Sequence, residues 1–181
     1  VDDGESKGVG EWSIMGYGGF LDTPGSLDPW SKMYLGWLSK ENTREIEETD
    51  FYKIFRDDAQ QGTKYYRMTL SDAEQFLVEN RHGTVLMNGD EAAGLLIWHI
   101  DESVMDEEGT WNGCSGTRWD CNAVNGKEEH KLIDVEEAGK TQDLDENDMG
   151  DDGDVWVLAC PTFGECTQKL FSKGTTPSSA P

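Results

Sequence analysis

Residues 73–103 read AEQFLVENRHGTVLMNGDEAAGLLIWHIDES, and two runs inside this stretch decide the fold. Phe76-Leu77-Val78 and Leu95-Leu96-Ile97-Trp98 are short apolar runs bounded by polar, turn-forming residues. Runs of that length with those flanks read as buried strands, because a helix needs a periodic apolar stripe over about ten residues or more. A loop from Gly83 to Glu91 separates them. HKLIDVEEA, residues 130–138, is a third strand candidate, and TREIEETDFYKIFRD (43–57) and GTKYYRMTL (62–70) carry enough β-branched and aromatic residues to favour strands as well. Before these lies DPWSKMYLGWL, residues 28–38. Asp28 is placed to cap a short helix, Pro29 suits its first turn, and Trp30, Met33, Tyr34 and Trp37 recur at helical spacing as core residues. The pattern is α+β and β-rich: a short helix, then mainly antiparallel strands with long loops at 106–129 and 139–154. Residues 1–171 are expected to form one domain, followed by a linker-like tail, SKGTTPSSAP, at 172–181.

A chain of 181 residues buries roughly 70% of its unfolded surface, so a real core is within reach. Seven tryptophans and 35% hydrophobic residues argue for a folded chain rather than a disordered one. The charge is lopsided, with 15 Lys and Arg against 37 Asp and Glu, a net charge of -22. Such a surface repels phosphate backbones and anionic membrane faces, which excludes nucleic acid as a partner. The acid excess leaves divalent-cation binding, solubility in extracellular surroundings, or plain solvation. No apolar run is long enough for a membrane helix. The opening residues VDDGESKG resemble neither a signal peptide nor an initiator start, which reads as a processed or internal piece of a longer protein.

The four cysteines, Cys114, Cys121, Cys160 and Cys166, are spaced as CSGTRWDC and CPTFGEC, unlike the arms of a zinc ribbon. Three pairings are open. The favoured one joins Cys114 to Cys121 and Cys160 to Cys166, each small loop contributing about 2 to 3 kcal/mol. Two disulfides imply an oxidising compartment, whereas four free thiols would fit a cytosolic protein.

Catalytic motifs are sparse. HExxH and a phosphate-binding glycine loop followed by Lys-Ser or Lys-Thr are both missing. His82, His99 and His130 are not spaced as a helical pair; three strands could gather them around a metal, but a histidine at a strand end is more commonly structural. The densest constellation is DLDENDMGDDGD, residues 143–154. On a calcium-loop template Asp143, Asp145, Asn147, Asp151 and Asp154 take the first, third, fifth, ninth and twelfth positions. Asp148 stands where an EF-hand has glycine, the last ligand is Asp rather than Glu, and no flanking helix pair is evident. The reading is a calcium loop outside the EF-hand fold, against the alternative of a solvated acidic loop.

GVGEWSIMGYGGF, residues 8–20, clusters glycines around Ile14-Met15, a pattern of tight turns around an apparently buried pair. GVGEWSIMGYG, LDPWSKMYLGWL, FLVENRH, GLLIWHIDES and HKLIDVEEAGKTQDLD followed by GDDGD resemble, in order, blocks of the C-terminal half of the catalytic domain of the immune inhibitor A family, secreted bacterial zinc metallopeptidases. The resemblance spans roughly Gly8 to Trp156. It implies that SIMGY is a Met-turn, that Met15 is an apolar pad beneath a catalytic zinc, and that Ser13 braces the turn. Tyr17 would ligate the metal or stabilise the oxyanion. Glu79, Asn80, Arg81, His99 and Asp101 match family motifs and are expected to pair structurally, Arg81 with Asp101 or Glu79.

The zinc helix itself is not in this sequence. The resemblance therefore implies part of a secreted zinc endopeptidase, inactive alone, whose zinc and whose protein or peptide substrate belong to a longer parent. The competing readings are a non-catalytic extracellular calcium-binding module for adhesion or assembly, and a calcium-stiffened structural protein.

Overall fold

The computed structural model describes residues 7–38, 42–47, 52–56, 59, 62–89, 91–127, 129–139 and 142–156. Its centre is the antiparallel pair β3 (Glu74–Val85) and β4 (Glu91–Asp101), in which Leu77 faces Trp98 and Glu79 faces Leu96. Successive side chains of a strand point to opposite faces, and here both faces are covered. Leu77, Leu96, Trp98 and Ile100 join the main core with Trp12, Trp30, Leu132 and Leu144. Phe76 and Ile97 pack on the other face with Trp156. Two-sided burial is the reason the apolar runs are continuous rather than alternating.

The remaining strands are β1 (Thr43–Glu45), β2 (Tyr65–Thr69), β5 (Glu108–Trp111), β6 (Cys114–Thr117) and β7 (Ile133–Val135). The main sheet runs β1-β2-β3-β4-β7, antiparallel except for β1 with β2, and β5-β6 is a separate hairpin. The fold is β-rich α+β with mainly antiparallel strands, as expected.

Several boundaries differ from the sequence expectation. The loop assigned to 83–91 is shorter than expected, because β3 continues to Val85 past an irregularity between Arg81 and Thr84, where Gly83 takes a φ of 69°, and β4 already starts at Glu91. Only Thr43–Glu45 of the 43–57 run forms a strand among the described residues; Arg56 adds an isolated bridge to Asn80. The long loop at 106–129 contains the β5-β6 hairpin. Its turn is Asn112-Gly113, both at positive φ, the requirement of a two-residue hairpin turn and a signal that was present in the sequence. Cys114 and Cys121 are bonded across this region with Cα atoms 5.6 Å apart. The Cys160–Cys166 pair and the 172–181 tail lie outside the described residues.

Helix α1 (Pro29–Tyr34) forms as expected, with Asp28 accepting from the Ser31 N–H at 2.7 Å. Trp30 is buried and Met33 packs on the core. Tyr34 and Trp37, expected in the core, are 64% and 65% exposed. The helix is too short to keep the stripe going: it ends at Tyr34, and Gly36 at φ 72° turns the chain before Trp37.

Candidate metal centre behind the glycine-rich turn

Residues 10–20 fold as two short 3-10 segments, Gly10–Trp12 and Tyr17–Phe20, joined by a turn at 13–16. Ser13 holds this turn: its Oγ donates to Asp28 Oδ2 at 2.8 Å and accepts from the Met15 N–H at 3.1 Å. Since Asp28 also caps α1, the turn and the helix are fastened at one point. Glu11 Oε2 accepts from the Met87 N–H at 2.7 Å, which ties the turn to the end of the β3-β4 hairpin.

The back of the turn rests on the acidic loop, more than a hundred residues away in sequence. Lys7 N donates to Leu144 O and Glu11 N to Met149 O, both at 2.8 Å, and Trp12 Nε1 donates to Asp154 Oδ2 at 2.7 Å. Gly10 sits at φ 50°, where a Cβ would collide with the Met149 carbonyl and the Leu144 side chain. Gly10→Ala is therefore expected to cost about 2 to 3 kcal/mol in urea unfolding. An unchanged midpoint would contradict this packing.

The front of the turn is open. Ile14, Met15 and Phe20 are 41%, 70% and 75% exposed, so the expectation of a buried Ile14-Met15 pair is corrected. The glycines bury the turn's backbone and send these two side chains outward. Met15 is no floor within this chain; the role that the resemblance gives it requires a further segment laid over it. Tyr17 is half-buried, its ring 6.2 Å from that of Phe20 and beneath the Lys7 ammonium at 5.5 Å.

Behind the turn, Glu137, Asp143 and Asp154 each bring one carboxylate oxygen within 4.8 Å of the others. Glu137 and Asp154 are almost fully buried. Backbone N–H groups orient the cluster: Glu137 Oε2 accepts from Asp143 N at 2.7 Å and Oε1 from Leu144 N at 3.0 Å, while Asp154 Oδ2 also accepts from Asp151 N at 3.0 Å. Asp143 Oδ1 is buried with no hydrogen-bond partner. Burial, reinforced by the hydrogen bond with Asp143, pushes Glu137 far above the usual carboxylate range. Burial likewise pushes Asp154 up to about 7 against the opposing bonds from Trp12 and Asp151. Three carboxylates facing one point match the oxygen donors that a hard divalent cation takes, and such a charge would favour the ionised carboxylates and so oppose both shifts.

Of the five residues on the calcium-loop template, the structure brings Asp143 and Asp154 together. Asp145 is committed to Lys131, which also bonds Asp134 at 3.0 Å. Asn147 is an exposed left-handed residue closing the Asp143–Glu146 3-10 turn. Asp151 accepts from Gly153 N and so shapes its own loop. Glu137 was missed because it precedes the acidic run, two residues past β7; the doublet Glu136-Glu137 beside a strand was the available signal.

Glu79, Arg81, His99 and Asp101 each make a side-chain pair. Arg81 bonds Glu79 at 2.7 Å, not Asp101. Asp101 accepts from Ser103 Oγ at 2.6 Å and lies 2.7 Å from His130 Nε2. Partial burial alone would raise the Asp101 pKa, but these bonds outweigh it and hold the carboxyl below its ordinary range. His99 meets Glu74 at 2.8 Å, His130 also meets Glu107 at 2.7 Å, and His82 is exposed. His99 and His130 therefore serve separate carboxylates, and among the described residues the three histidines form no shared metal site. Comparison with protein-family models, with curated proteins and with solved structures yields no match to this chain.

Proposed function

We propose that this chain is the C-terminal half of the catalytic domain of a secreted zinc endopeptidase resembling the immune inhibitor A family. In that reading it supplies the Met-turn, one wall of the active site and a calcium-held base. The observation that supports it is the two-sided mounting of the glycine-rich turn, fastened from behind to the acidic loop and apolar in front at Ile14, Met15 and Phe20. A turn that passes beneath a metal needs both features, a rigid back and an apolar edge for the ligand-bearing segment to cover. Glu137, Asp143 and Asp154 would hold the calcium, whose charge neutralises the cluster. Among the described residues the histidines do not gather into a zinc site, so in this reading the zinc and the catalytic step belong to the longer parent. Its disulfide suits an oxidising compartment, and no helix among the described residues is long and apolar enough to cross a membrane.

The gene sequence upstream of Val1 tests this directly. It is expected to encode HExxH within about a domain length, and the longer protein is expected to cleave casein in a zinc-dependent way that the present chain does not. A secretion signal immediately before Val1, with no HExxH, overturns the proposal. That result would favour the second reading, a non-catalytic extracellular calcium-binding module. The exposure of Met15 supports that alternative, because an uncovered apolar edge is itself a surface for adhesion or assembly.

A further inference from the structure

An open cleft of about 380 Å³ is lined by Tyr34, Met105, Asp106, Thr117, Trp119 and Asp120, and shares no lining residue with the turn or the carboxylate cluster. Its aromatic wall is built. Trp30 stacks on Tyr34 with centroids 5.4 Å apart, Trp119 meets Tyr34 at 5.4 Å and Trp30 at 6.2 Å, and Trp30 is anchored through Nε1 to Glu102 at 2.9 Å. Despite this mutual packing Trp119 remains 42% exposed, and Tyr34 more so.

The other wall is the loop closed by the Cys114–Cys121 disulfide. Trp119 N donates to Met105 O at 3.2 Å and Asp120 N to Thr117 Oγ1 at 3.0 Å, so the cleft's shape is set by covalent and backbone bonds rather than by an occupant. Asp106 and Asp120 are exposed on it, and neither has a cationic partner among the described residues.

Aromatic faces beside unpaired carboxylates are complementary to a cation that is flat enough to stack. The same hairpin shows the preference internally. Trp111 carries the Arg118 guanidinium at 4.7 Å and the Lys127 ammonium at 4.9 Å, whereas Trp119 and Tyr34 carry no such cation among the described residues. We propose that this cleft binds the guanidinium side chain of an arginine in a polypeptide, stacked against Trp119 and Tyr34 and hydrogen-bonded to Asp106 and Asp120. Guanidinium is favoured over ammonium because it stacks and pairs with carboxylates in one plane. The strongly acidic surface favours a basic segment in the partner. The site needs only residues of this chain and is independent of the peptidase reading.

Saturation-transfer NMR on the whole protein tests it, with Nα-acetyl-arginine N-methylamide as the probe and its citrulline counterpart as the neutral isostere. The arginine probe is expected to show transfer to its side-chain methylenes, and citrulline to bind about tenfold more weakly. Trp119→Leu should abolish the signal. The double variant Asp106→Asn/Asp120→Asn should weaken it about tenfold with an unchanged melting temperature, which decides the matter if the Trp119 variant fails to fold. Equal binding of the two probes, or full retention in either variant, overturns the proposal. Tighter binding of tetramethylammonium than of the arginine probe also overturns it, in favour of a quaternary-ammonium ligand.

Discussion

EDTA is expected to lower the melting temperature of this protein by roughly 8 to 16 °C relative to calcium held at a thousandfold over its dissociation constant. The size follows from linkage: a ligand at that excess contributes about 4 kcal/mol, and each kcal/mol moves the midpoint of a chain this long by about 2 to 4 °C. The cause is local. Glu137, Asp143 and Asp154 converge within 4.8 Å, two of them almost fully buried, and Asp143 Oδ1 is left without a donor. Without a cation the cluster must take up protons or bear its own repulsion.

The sign of one substitution separates a metal site from a merely solvated loop. Asp143→Asn removes a charge and places an N–H beside the Glu137 carboxylate, so it is expected to raise the melt in EDTA while erasing the calcium-induced shift. Asp145→Asn, which alters the Lys131 pair rather than the cluster, should preserve the calcium shift. A melt that ignores saturating calcium would remove the cluster as a calcium site, without bearing on the arginine cleft.

Arg81→Ala is expected to cost about 3 to 5 kcal/mol in urea unfolding. Glu79 is fully buried, and its Oε1 accepts from Arg81 Nη2 at 2.7 Å, Arg81 Nε at 3.0 Å and Trp98 Nε1 at 3.0 Å. Removing the guanidinium leaves a buried carboxylate held by the Trp98 indole N–H, and that desolvated charge is the larger part of the cost. Glu79→Gln combined with Arg81→Met should recover much of the loss, because replacing both members of a buried pair is far cheaper than removing one. A cost below about 1 kcal/mol for Arg81→Ala would place the pair in a wetter environment than the structure gives it.

Much of the sheet was legible because its signals are local. Leu77 and Trp98 lie in runs whose length and flanks suffice to name a strand, and Asp28-Pro29 names a helix start through its own hydrogen bond and ring. The Asn112-Gly113 turn was equally local and was passed over. Tyr34 and Trp37 failed for a different reason: helical spacing says which residues share a face, but not how many turns the helix runs before it leaves the core.

By itself, then, the sequence determined the β-rich class and the short helix, favoured the Cys114–Cys121 pairing that the structure shows, and gave the strongly acidic net charge. Each depends on neighbours in the chain or on summed charge. The tertiary structure alone decided that Glu137 joins Asp143 and Asp154, that Asp145 is spent on Lys131, and that the glycine-rich turn lies against the acidic loop with Met15 facing outward. Those facts arise from contacts between segments far apart in the chain, where carboxylate spacing carries no information and only the three-dimensional path determines which oxygens meet.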